Sequence, residues 1–149
     1  MVHDLIGILS PCILGLFVGS LLTEACVLVP FWRSMDPDSF FRHYRNIGPR
    51  LQQYFSPLTI LATLIPLAHA LQGVLQQKAH TIACCVVGGL MIAVLCSYFV
   101  YFKSANAGFA SEQPDSDGLP DELSRWSRWH NGRTVLAMIA FVLSMYAMP

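Results

Sequence analysis

From Thr81 to Phe102 the chain reads TIACCVVGGLMIAVLCSYFVYF, without one charged residue. About 20 mostly apolar residues in a helix cross the hydrocarbon core of a bilayer. A helix on the surface of a soluble domain keeps a polar face, and this one has none. The stretch therefore demands a bilayer as its solvent, and it sets the terms for the rest of the sequence.

Three further segments follow the same rule. Leu5 to Phe31, LIGILSPCILGLFVGSLLTEACVLVPF, carries Glu24 as its only charge. Between Arg50 and Lys78 lies LTILATLIPLAHAL, and a tail from about Trp126 ends in TVLAMIAFVLSMYAMP. The tail is short for a span if counted only from Thr134, where charge ceases. Of the 149 residues, 54% are hydrophobic and 12% charged. A soluble domain is nearer a quarter charged, so composition and segmentation agree. The net charge of zero gives no reason to expect nucleic acid as a partner. The first segment has His3 and Asp4 where a secretory signal has lysines, and no small-residue cleavage site follows, so it reads as a retained helix.

The expectation is an all-α integral membrane protein. A single domain, residues 1–149, forms an antiparallel four-helix bundle with spans at about 5–31, 51–75, 81–102 and 126–148. Four spans place both termini on one side. The connections after the first and third spans hold Arg33, Arg42, Arg45, Arg50, Lys103, Arg125 and Arg128, whereas the opposite side holds Lys78. Positive residues stay in the cytoplasm, which puts those two loops there and both termini on the extracytoplasmic side. Gly15 and Gly19 allow close helix contact. Pro57 and Pro66 predict a kink or a late start in the second helix, and Gly88-Gly89 does so more weakly in the third. AGFASEQPDSDGLPDE reads as a polar loop, with a helix beginning near Pro120. The five cysteines, Cys12, Cys26, Cys84, Cys85 and Cys96, show no C-x-x-C spacing and read as small buried hydrophobes.

The fourth segment opens with RWSRWHNGR. At about 100° per residue, Trp126, Trp129, His130 and Arg133 share one sector of a helix. Arg125 and Arg128 fall elsewhere and suit headgroup anchors. Arg133 lies seven residues past Trp126, and Glu24 lies seven residues before Phe31, so both sit about 10 Å inside their spans from the same side. An unpaired charge at that depth costs a few kcal/mol. Pairing of Glu24 with Arg133 or His130 is the least costly arrangement. The DPDSFFRHYRNIGPRLQQYF stretch adds His43, Tyr44, Arg45, Asn46 and Arg50, and YFKSAN adds Asn106, over the same region. A few convergent polar groups in an apolar concavity make a small-molecule site. Glu24, His130 and Arg133 are the candidate catalytic residues, with Trp126, Trp129, His43 and Asn106 as candidate substrate-binding residues. His69 and His80 lie toward the other side. No E-x-x-H or H-E-x-x-H pattern is present. A metal, if bound, would draw on Glu24, His130 and His43.

At these positions the chain resembles the anthrone oxygenase-like family of small four-helix membrane proteins. The resemblance rests on GLFVGSLLTEACVLVPFW, FFRHYRNIGPRLQQYFSPL, YFKSANAGF and LSRWSRWHNGRTVLAMIAF, which together cover most of the chain. It implies oxidation of a lipophilic polycyclic aromatic, anthrone to anthraquinone, with O2 as co-substrate and no dedicated cofactor. Its partners would be that small molecule and the lipid bilayer, with room for a homo-oligomer. Two other functions fit the residues. One is a non-catalytic membrane subunit whose cytoplasmic arginines dock a larger complex. The other is a metal- or haem-binding redox protein.

Overall fold

The computed structural model describes residues 2–77 and 79–148, with side chains from residue 5 onward. Lys78, the expected counterweight in the charge asymmetry, and the side chains of His3 and Asp4 lie outside the described residues. The described chain is helical, without a strand.

Helix α1 (Val2–Thr23) passes through a π-helical turn (Glu24–Leu28) into α2 (Val29–Arg33). These pieces form one rod. After a short turn, α3 (Pro37–Gln76) runs for 40 residues. Helix α4 (Thr81–Ser97) passes through a second π-helical turn (Tyr98–Phe102) into α5 (Lys103–Ala110). Helix α6 (Leu119–Tyr146) completes the chain. Three rods are long and apolar enough to cross a membrane: Leu5–Arg33, Pro37–Gln76 and Thr81–Ala110. Helix α6 is long enough, since its 28 residues span about 42 Å. Its N-terminal part is too polar to qualify, because Asp121, Glu122, Arg125, Arg128 and Arg133 all precede Thr134.

The stretch expected as the first cytoplasmic loop is helix. Asp36 caps α3: its Oδ1 accepts the Ser39 N–H at 3.0 Å, and Pro37 fills the first helical position. The same N–H holds the Asp36 carboxyl below the usual carboxylate range. Phe40, Phe41 and Tyr44 then bury one face of this extension. That burial is why a polar-looking segment stays helical. Pro49, Pro57 and Pro66 lie inside α3 without ending it, so the late start anticipated from Pro57 does not occur. The helix stops at Gln77, which adopts a left-handed conformation (φ 50°) and donates its N–H to the Gly73 and Val74 carbonyls. Gly88-Gly89 leaves α4 unbroken. The acidic loop is shorter than expected, residues 111–118, because Ala107–Ala110 extend α5.

Helix α1 packs on α3 and α6, and α4 packs on the same two. Where these rods meet, the core is aliphatic: Leu14, Leu21, Ala62, Met91, Ala137 and Ala140 are fully buried. Gly15 sits against α6, where an added Cβ would lie 3.1 Å from the Phe141 ring, while Gly19 faces open space. Toward the α2–α3 turn the core becomes aromatic, with Trp32, Phe40, Tyr44, Phe102, Phe109 and Trp126. The rings meet edge to face, as between Phe40 and Phe109 at 5.2 Å. Of the cysteines only Cys84 is buried, and Cys12, Cys26, Cys85 and Cys96 are exposed and free. In apolar rods of this kind both faces are hydrophobic, so an apolar flank does not tell inside from outside.

Candidate functional site

The two π-helical turns mark the boundary between the aliphatic and aromatic cores, and the polar groups gather there. Each turn accommodates one extra residue. Val29 donates its N–H to the Glu24 carbonyl, and Lys103 donates to that of Tyr98, both five residues back. Glu24 and Trp32 are eight apart. On an unbroken α-helix they would diverge by about 80°, and absorbing one residue brings them within about 20°. The second turn likewise aligns Tyr98 with Lys103 and Asn106. All five residues line one cavity.

Glu24 is 5% exposed, and its Oε2 accepts from Arg133 Nη2 at 3.0 Å. Arg133 also donates to His130 Nδ1, from Nη2 at 2.8 Å and from Nε at 3.2 Å. The other ring nitrogen, His130 Nε2, lies 2.9 Å from the Leu21 carbonyl oxygen. A carbonyl only accepts and a guanidinium only donates, which fixes the tautomer: Nε2 carries the proton and the imidazole is neutral. The 3.5 Å approach of His130 Nδ1 to Glu24 Oε2 is therefore a contact between two acceptors, both held by one guanidinium. Arg133 lies over the Phe102 ring, 4.0 Å from its centroid.

Trp126 stacks on His130 at 5.0 Å and 8°. Its Nε1 donates to Asn106 Oδ1 at 3.0 Å, so α5 and α6 are joined at the same level. An indole can only donate, so Asn106 presents its oxygen to Trp126 and keeps its NH2 group for other partners. The cavity these groups border has a volume of about 630 Å³. Its walls are mostly apolar, among them Phe17, Leu51, Phe55 and Val94. Gln52 bridges two helices at the wall, donating to Ser56 Oγ at 2.7 Å and to Tyr98 Oη at 3.0 Å. A largely apolar hollow with a few fixed polar groups is the usual form of a small-molecule site.

Of the sequence-based candidates, Glu24, His130, Arg133, Trp126 and Asn106 come together here. Trp129 does not. It is 39% exposed and stacks on Tyr101 at 5.1 Å. It borders a second hollow between α4 and α6, with Arg125, Arg128, Cys96 and the outer side of Arg133. The reason is angular: Trp129 lies about 60° from Trp126 in the direction opposite to His130. His43 packs edge-on against Phe31 at 5.5 Å, away from the cavity wall. Consequently Glu24, His130 and His43 do not gather, and no group of three such ligands occurs among the described residues. His69, on α3, lies beside Cys84 Sγ at 3.8 Å, far along the chain from this cluster.

Sequence reasoning missed Trp32, Phe102 and Tyr98, because their alignment with Glu24 and Lys103 depends on the π-helical turns. Pro30, two residues beyond the first turn, is the one local hint of irregularity. No protein-family model matches the chain, and no curated protein or solved structure is similar to it.

Proposed function

We propose that this chain is an integral membrane oxygenase acting on a flat, lipophilic carbon acid of the anthrone type. The observation that carries the reading is the buried Glu24 carboxylate, clamped by Arg133 in the wall of an apolar cavity. In this reading the rods form an antiparallel four-span bundle, with the α2–α3 turn and the 111–118 loop in the cytoplasm and both termini outside. Exposed apolar side chains such as Leu16, Ile60, Leu64, Val86 and Val142 support a lipid-facing surface. The cluster of arginines near the aromatic end supports the orientation.

The substrate enters from the bilayer and lies in the cavity against Trp126. Glu24 takes a proton from the reactive methylene, whose electron pair spreads into the ring system and its oxygen. Arg133 stabilises that oxyanion. The carbanion gives two electrons to O2, forming a C–O bond and a hydroperoxide. Loss of water, taking the second C–H hydrogen with cleavage of the O–O bond, leaves the carbonyl of the quinone. Anthrone plus O2 thus yields anthraquinone plus water, with no further reductant. His130, with both ring nitrogens engaged, holds Arg133 in place. Asn106 fixes the Trp126 indole.

The test is oxygen uptake by the purified protein in detergent with anthrone, corrected for spontaneous oxidation. Glu24→Gln is expected to lower the rate by about 100-fold or more, as for loss of a general base. Absence of uptake above background, or an undiminished rate in Glu24→Gln, overturns the reading.

A further inference from the structure

The ionic groups of the cavity do not balance. Four charged side chains line it: Glu24, Arg45, Lys103 and Arg133. Glu24 and Arg133 neutralise each other at 3.0 Å. Arg45 is held outside the hollow's charge balance by Glu112, which it meets at 2.6 Å across to the acidic loop. Among the described residues Lys103 has no ion-pair partner. Of the three cations in the lining, its ammonium is the one left without an opposite charge among the described residues.

Lys103 is not alone. Residues 103, 106, 107 and 110 all border the cavity and form a single face of α5. Lys103 and Asn106 lie three apart on it. Asn106 has given its oxygen to Trp126, so its two N–H donors remain. The adjacent Ala107 and Ala110 are small and leave room beside them. Gly48 and Pro49 of α3 also line the cavity and bring no charge. At this end the hollow therefore offers a cation and amide donors, and the carboxylate in its lining, Glu24, is already paired with Arg133. The π-helical turn ending at Phe102 puts them there, since it is what brings Lys103 beneath Tyr98.

We infer that the cavity takes an amphiphilic acid: an apolar body lies along the Phe17–Phe55–Val94 wall, and a single carboxylate is bound by Lys103 with help from the Asn106 amide. This rests on the reading of the hollow as a ligand site and narrows the class of molecule it admits. Lys103 acts in recognition, apart from the proton transfer assigned to Glu24.

Two matched pairs of probes test it by calorimetric titration in uncharged detergent micelles: anthraquinone-2-carboxylate against anthraquinone, and palmitate against palmitamide. The wild-type protein is expected to favour at least one carboxylate over its neutral mate by roughly three- to tenfold, the range between a solvent-exposed ion pair and a charge-assisted hydrogen bond. The preference should shrink as salt rises. Lys103→Met should abolish it and Lys103→Glu should reverse it. Lys103 is exposed, so neither variant threatens folding, and comparing each variant with wild type cancels the probes' different partition into micelles. A carboxylate preference that persists in both variants overturns the inference, as does saturable binding without any preference. Failure of both carboxylates to bind overturns it too. Carboxylate preference in the palmitate pair with no binding of either anthraquinone would sustain the role of Lys103 while removing the polycyclic substrate. Preference in the anthraquinone pair without oxygen uptake would sustain it while removing the oxygenase.

Discussion

Among the described residues two ion pairs bridge distant parts of the chain, and their settings are opposite. Arg45 and Glu112 meet at 2.6 Å with side chains 57% and 48% exposed. Glu24 and Arg133 meet at 3.0 Å with side chains 5% and 14% exposed. The shorter pair is the less costly one to break. Water and salt screen an exposed pair, and holding two long side chains together costs entropy, so its net worth is small. The buried pair has surrendered hydration on both partners, so the loss of one strands the other. Distance alone ranks them the wrong way round.

The sharpest way to break this comparison is to remove one buried partner. Arg133→Met leaves the Glu24 carboxylate uncompensated and should cost about 3–5 kcal/mol, read as unfolding free energy in detergent. The double variant Glu24→Gln/Arg133→Met should recover a large part of that loss. A double variant worse than Arg133→Met alone would show that each side chain matters for its own packing instead of for the pair.

The two tryptophans of α6 extend the contrast to neutral groups. Trp126→Phe removes the donor that satisfies Asn106 Oδ1 and should cost about 1–3 kcal/mol. Trp129→Phe retains an aromatic ring against Tyr101 and should stay within about 0.5 kcal/mol. Equal losses in melting measurements would mean that burial does not separate them. The smallest effect belongs to the exposed ion pair. Glu112→Gln should change stability by less than about 1 kcal/mol, and the difference should vanish at high salt.

How far the sequence could reach depends on which signal each feature leaves. Absence of charge marks three rods plainly, because the cost of a charge in hydrocarbon is large and local. The meeting of Glu24 with Arg133 was also legible: two isolated charges at similar depth leave few ways to be satisfied. The extension of α3 back to Pro37 was not, because Arg42, Arg45 and Arg50 look like a loop until Phe40, Phe41 and Tyr44 are seen burying the opposite face. Trp129 was misplaced beside His130 because a sector one-third of a turn wide is shared by two neighbours, and Tyr101 claims its edge. The exposed cysteines escaped for a related reason. In a chain whose outer surface is as apolar as its interior, hydropathy loses the power to sort faces.

The two π-helical turns have a consequence for how this chain can change. Tightening the Glu24–Leu28 turn to an ordinary α-helix with every residue kept would swing everything beyond it by about 100°, whereas deleting one residue there would restore the α-helix and keep the alignment. In the first case Trp32 would leave the aromatic cluster while Phe17 and Leu21 kept their places. The same tightening within Tyr98–Phe102 would carry Lys103 away from the hollow without disturbing Met91 or Val94. Each rod thus behaves as two segments geared together at an adjustable joint. Straightening either joint without loss of a residue would reset the site as a unit, and loss of one residue there would leave its alignment untouched.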